Sequence, residues 1–131
     1  MTFKSDTAVG GTKPVDDIVI VGTGFIGLPL ALTLAKHGKQ VYGIDIDENL
    51  VAAINDGSLQ FDEERIQRLL QDDTVQENLV AQTTPRSGDT FVISVPTPLS
   101  EPYKSPDLAY IEAAIESILP YVKQGNLINI E

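Results

Sequence analysis

Residues 18–47 read IVIVGTGFIGLPLALTLAKHGKQVYGIDID, and the fold of the chain turns on them. Ile18 to Val21 is a continuous β-branched run, as expected of a strand buried on both faces. Gly22-Thr23-Gly24-Phe25-Ile26-Gly27 then spaces three glycines as G-x-G-x-x-G. From about Phe25 to His37 the apolar residues read as a helix, and Gly38 stands where a helix-ending glycine belongs. Pro29 falls within the first turn, where the backbone N–H has no intrahelical partner to lose. Val41 to Asp45 reads as a second strand.

Further along, Asp47 is placed to cap a short helix through Asn55 that Gly57 stops. Asp62 is placed to cap another, Glu63 to Gln71, with Ile66, Leu69 and Leu70 on one face. Leu79 to Thr83 and Phe91 to Val95 read as strands, and the segment between them, Thr83 to Asp89, is too short and polar for a regular helix. Pro96 to Pro106 holds four prolines and reads as an irregular loop. Asp107 then caps a helix whose stripe is Leu108, Ile111, Ala114 or Ile115, Ile118 and Val122, tightened by Pro120 and ended by Gly125. Leu127 to Ile130 is one more strand. Strands alternating with helices specify an α/β fold, a Rossmann-type parallel sheet with helices on both faces. Right-handed crossovers bring the strand C-termini to one edge, where ligands bind.

The length of 131 residues and apolar content of 42% suit one domain, with residues 1–16 a flexible lead-in and residues 17–131 the folded unit. The net charge of −10, with nine basic residues scattered along the chain, argues against nucleic acid or an anionic membrane as a partner. The absence of cysteine excludes disulfides, thiolate metal sites and a cysteine nucleophile within these residues. No window approaches a membrane span and the N-terminus lacks a hydrophobic signal core, so a cytoplasmic protein is expected. The last strand breaks off at Glu131, which leads us to expect a piece of a longer protein.

Three glycines at this spacing are weak evidence alone, because the pattern is short. Here the motif follows a buried strand, opens a helix, and has an acid, Asp45, about 20 residues beyond, at the end of the next strand. Gly22 permits the tight turn, Gly24 admits a pyrophosphate to the backbone, and Gly27 lets helix and strand pack closely. The helix N-terminus offers free N–H groups and about half a positive charge. Asp45 is positioned to accept from the adenosine ribose hydroxyls. A 2′-phosphate there would meet like charge, costing about 4 kcal/mol at 4 Å and an effective dielectric near 20. NAD is therefore expected over NADP. The competing readings are an ordinary strand-to-helix turn and a solvated strand end. His37 reads as a solvated helix-end residue, Asp72-Asp73 and Glu63-Glu64 as solvated faces or caps, and Arg86 and Lys104 as solvated loop charges.

The stretches IVIVGTGFIGLPLALTLAKHG, VYGIDID, INDGSLQF, VISVPTPL and PDLAYIEAAIESILP together resemble the N-terminal domain of the UDP-glucose/GDP-mannose dehydrogenase family, from about Asp17 to the end. The pairing of G-F-I-G-L-P with V-P-T-P-L about 70 residues later is far more specific than the glycines alone. The resemblance implies an NAD-dependent oxidation of a nucleotide sugar's C6 hydroxyl to a carboxylate in two hydride transfers, by an oligomeric enzyme. Among the family's branches the wording is most similar to the bacterial UDP-N-acetyl-mannosamine dehydrogenases. It places Gly22 to Gly27 at the pyrophosphate, Asp45 at the ribose, and Val95-Pro96-Thr97-Pro98 against the adenosine and ribose. Phe25 stands where the family often has Tyr, and Leu50 where a basic residue often helps at the ribose. The family's thioester-forming cysteine lies in downstream domains, so this chain alone is expected to bind NAD without turning over substrate. The alternative is a non-enzymatic Rossmann module that senses a nucleotide or mediates assembly.

Overall fold

The β-branched run beginning the decisive stretch forms the centre of the molecule. In the computed structural model, which describes residues 16–24, 27–96, 98–100 and 105–131, β1 (Asp17–Val21) is the middle strand of a five-stranded parallel sheet. Its partners are β2 (Gln40–Ile44) on one side and β4 (Thr90–Ile93) on the other; β3 (Leu79–Gln82) flanks β2, and β7 (Leu127–Ile130) flanks β4. Between β4 and β7 lie two-residue strands, β5 (Leu99–Ser100) and β6 (Ser105–Pro106), paired antiparallel. The proline-rich segment is thus not wholly irregular: a short ladder closes it, a pairing that local propensity cannot signal. Residues 1–16 were expected to be a lead-in, and all but residue 16 lie outside the described residues.

Alternation along the strands builds two cores. Ile18, Ile20, Val41, Leu79, Ala81 and Val92 face one side, under Leu28, Ala31, Leu32 and Ala35 of α1 (Gly27–Lys36). Ile54 of α2 (Glu48–Asp56), Ile66 and Leu70 of α3 (Glu64–Leu70), and Val75 of α4 (Asp73–Asn78) complete that layer. Val19, Val21, Ile44, Phe91 and Ile93 face the other side, under Ala114 and Ile118 of α5 (Ala109–Ile118). Burying a large aliphatic side chain contributes about 1.5–3 kcal/mol each, so these rows dominate the stability. The connection from β3 to β4 crosses the second face as an extended strap: the Arg86 guanidinium stacks 3.7 Å from the centre of the Tyr42 ring, and Gly88 passes against Val19. The α/β architecture with both faces covered agrees with the expectation, and the crossover sides follow from right-handedness.

Helix ends show why the local reading succeeded or failed. Asp47 caps α2 through Oδ1, which accepts from the Asn49 and Leu50 N–H groups, and Gly57 ends it in the left-handed region at φ +74°. At the end of α1 the Gly38 N–H donates to the Ala35 carbonyl and the Lys39 N–H to Leu34. Asp62 does not cap α3. The N-cap is Glu63, without a side-chain bond, and Gln67 reaches back to the Phe61 N–H (2.7 Å) and the Leu59 carbonyl (2.9 Å) instead. Asp72 caps the unforeseen α4, and its carboxylate also meets Lys36 at 2.6 Å. Asp107 accepts from the Ala109 N–H at 2.9 Å, but Leu108 is exposed because it precedes α5 rather than lying on its inner stripe. Pro120 falls in a 3₁₀ turn, Leu119–Tyr121, and Gly125 (φ +90°) serves the turn into β7 instead of ending the helix. On the outer side of β3, the Asn55 side chain bonds both the N–H (2.8 Å) and the carbonyl (2.9 Å) of Ala81.

Candidate functional site

Three strands end side by side, and the chain leaves each of them into the same small region. Hydrogen bonding continues one residue past the ladder: the Gly22 N–H donates to the Ile44 carbonyl (2.7 Å) and the Ser94 N–H to Val21 (2.8 Å). The loops after β1, β2 and β4 are therefore fixed relative to one another before any side chain is considered.

The glycines then divide into two kinds. Gly22 has φ +96°, and a Cβ there would overlap the Ser94 carbonyl and lie 3.1 Å from Val95 Cγ1. A Cβ on Gly27 would overlap the Gly22 carbonyl oxygen and lie 3.3 Å from Ser94 Oγ. These two positions let turn, helix and β4 close onto one another. Gly24 is exposed, and a Cβ there would meet nothing within 4 Å. Its backbone face is open to whatever approaches. α1 begins at Gly27 with no acidic residue in its first turn, and the Leu28 N–H donates back to the Gly24 carbonyl (3.1 Å). The positive end of a helix therefore adjoins the open glycine, an arrangement that suits an anionic group.

Asp45 follows β2 and is held at both oxygens. Oδ2 accepts from the Thr23 N–H and the Thr23 hydroxyl, each at 3.1 Å, and Oδ1 accepts from the Asp47 N–H at 2.9 Å. A carboxylate has about four acceptor positions, so one remains, on Oδ1. Ile46, beside it, is 92% exposed and gives the rim a large apolar surface. Leu50 turns away to pack on the first core, so its position is a structural one here. Val95 is half-buried against the second core and Pro96 is exposed. Phe25, Ile26 and Thr97 lie outside the described residues, as does Lys104.

The structure thus brings Gly22, Thr23, Gly24, Gly27, Asp45 and Val95 together, with Pro96 following. His37 lies at the far end of α1, its Nδ1 2.8 Å from the Thr33 carbonyl, and Arg86 lies on the strap. Two features escaped the sequence reading. Thr23 is the only polar residue buried as a whole among the described residues, and its hydroxyl serves Asp45 across 22 positions. Ser94 Oγ is buried with no hydrogen-bond partner among the described residues. Its place directly before V-P-T-P was the available signal. The described residues hold no cluster of metal-ligating side chains, and none of their helices is long and apolar enough to cross a membrane.

Sequence and fold are shared with known proteins. A UDP-N-acetyl-D-mannosamine dehydrogenase of Methanococcus maripaludis is 40% identical over 124 residues, 92% of this chain and 29% of the relative. An NDP-N-acetyl-D-galactosaminuronic acid dehydrogenase of Ralstonia nicotianae is 42% identical over 114 residues, 87% of this chain and 27% of that protein. Among solved structures, a UDP-N-acetyl-mannosamine dehydrogenase from Staphylococcus aureus superposes with a TM-score of 0.83 at 36% identity, covering 88% of this chain and 28% of the other. The chain spans under a third of the length of these relatives. Residues 16–131 match the family profile described as the UDP-glucose/GDP-mannose dehydrogenase family, NAD binding domain, and the chain belongs to that family as its NAD-binding domain.

Proposed function

We propose that the edge formed by the loops after β1, β2 and β4 holds NAD for a nucleotide-sugar 6-dehydrogenase, of which these residues are the cofactor half. The residues assigned to the cofactor are Gly22, Thr23, Gly24, Phe25, Ile26, Gly27, Asp45, Val95, Pro96 and Thr97. The observation that carries the reading is the contrast among the glycines: two are closed against backbone, and the third, beside a helix N-terminus, is open. Gly24 with the start of α1 suits the pyrophosphate, the remaining acceptor of Asp45 a ribose hydroxyl, and exposed Ile46 the face of the adenine ring. When bound, NAD supplies the hydride acceptor for oxidising an alcohol.

The relatives' names support a UDP-linked N-acetylhexosamine as the substrate of the longer protein, with its C6 hydroxyl taken to a carboxylate. That oxidation proceeds through a covalent thioester in the family the chain resembles, and these residues contain no cysteine to form one. The proposal includes a cytoplasmic location, a homo-oligomeric whole protein, and no role for nucleic acid. It divides the chain into a lead-in, residues 1–16, and the NAD-binding unit, residues 17–131.

Calorimetric titration of the chain with NAD tests the reading. A saturable signal is expected at or below millimolar concentration, with NADH bound more tightly than NADPH. No saturation at millimolar NAD, or the reverse order, would overturn it.

A further inference from the structure

Asp45 at the end of β2 is commonly weighed by its charge alone, yet here it is also restrained. Its Oδ2 receives two donors from one residue, the N–H and the hydroxyl of Thr23. Thr23 is itself fixed: it is 2% exposed, and its methyl fits a space that exists because residue 43 is glycine. A Cβ on Gly43 would lie 3.0 Å from Thr23 Cγ2. With the methyl seated there and the hydroxyl on Asp45, the threonine occupies one rotamer. The other carboxylate oxygen is held by the Asp47 N–H. The carboxylate is thereby clamped at both ends and presents a single acceptor position.

We infer that Thr23 is a positioning residue for cofactor selectivity: its hydroxyl immobilises Asp45, and that immobility, added to the charge, separates NAD from NADP. The inference rests on the cofactor reading above. A ribose 2′-hydroxyl brings a donor to the one open acceptor. A 2′-phosphate is mostly without a proton to donate at neutral pH and carries negative charge toward a carboxylate that cannot swing aside. If the clamp is released, the carboxylate can rotate into solvent, losing its bond to the ribose while relieving the repulsion of the phosphate. Selectivity should fall from both directions.

The test measures NADH and NADPH dissociation constants by nicotinamide fluorescence for the chain and for T23V, T23S and G43A. T23V preserves the shape and removes the hydroxyl donor while leaving the N–H. It is expected to weaken NADH binding and narrow the NADH-to-NADPH preference by about tenfold, the scale of one charge-assisted hydrogen bond. T23S keeps the hydroxyl but not the methyl seated beside Gly43, and should lose clearly less of the preference than T23V. A T23V preference within twofold of wild type, or a T23S loss as large as that of T23V, would overturn the inference. If T23V does not fold, G43A decides: its new methyl presses on Thr23, and an unchanged preference there overturns the idea equally. A wild-type chain that binds no NADH sinks the cofactor reading itself. One that binds NADH but is indifferent to T23V sinks only the role of Thr23.

Discussion

The two ends of the sheet handle charge in opposite ways. At the C-terminal end the loop after β1 is glycine-rich backbone, and the acids Asp45 and Asp47 follow β2, Asp45 satisfied three ways and Asp47 capping α2. At the N-terminal end Asp17, Arg86, Asp89 and Lys123, with Gln124 and Asn126, line a cavity of about 310 Å³. Its charges serve the fold. The Asp17 N–H donates to the Asp89 carboxylate (2.9 Å), and Arg86 lies 3.7 Å from Asp17 while stacking on Tyr42. Charges of both signs fasten the strap to β1, whereas the other end sets its acids against backbone N–H groups and keeps an open glycine beside a helix N-terminus. A count of paired opposite charges would have chosen the end away from the proposed cofactor site.

Substitutions at each end can break this contrast. The largest effect is expected from G27A, whose new methyl would collide with the Gly22 carbonyl, a backbone group that cannot rotate aside. We expect a loss of about 3 kcal/mol or more, read as a fall in Tm of roughly 10 °C, together with lost NADH binding. A variant melting within 2 °C of wild type would show that the loop has slack. Next is D45N, which keeps the shape but removes the charge and one acceptor. Its stability should fall by about 1 kcal/mol in chemical denaturation while the NADH-to-NADPH preference collapses. Retained preference would shift selectivity away from Asp45.

At the other end, R86A removes the stack on Tyr42 and a long ion pair. A cost of about 1 kcal/mol in urea unfolding is expected, with NADH affinity unchanged. An affinity change beyond threefold would couple the two ends. The smallest effect is a pH trend. Burial raises the Asp17 carboxyl from its ordinary value, against the pull of Arg86, and Asp89 and Asp16 add to the push. With the folded value raised, the folded state binds more protons, so this residue's contribution is fully present below the unfolded value and is lost as pH rises through the folded one. The Tm of D17N relative to wild type should therefore be higher at pH 7 than at pH 3. The reverse trend in a thermal-melt series would contradict the assignment.

What could be read from the sequence was whatever had a local cause. The β-branched run of β1, the Asp47 cap and the glycines at 38 and 57 act within a few residues, and the elements they bound stand where expected. α4 escaped because DTVQEN has one apolar residue, Val75, and only its burial against the first core declares the helix. Asp62 misled because a capping residue type is common, while the long return of Gln67 that organises that turn has no fixed spacing. At the site, the glycines and Asp45 were legible from strand, turn and helix order. The clamp of Thr23 on Asp45, and the room Gly43 makes for it, join residues that only the parallel pairing of β1 with β2 makes neighbours.

The amide of Asn55 has a further consequence. By supplying one acceptor and one donor to Ala81, it plays the part of a neighbouring strand in miniature on the outer side of β3. Among the described residues nothing comparable covers the outer side of β7, where Ile128 and Ile130 are exposed. A strand arriving at the outer side of β3 would find the N–H and the carbonyl of Ala81 already taken, and would have to displace the Asn55 amide to pair there.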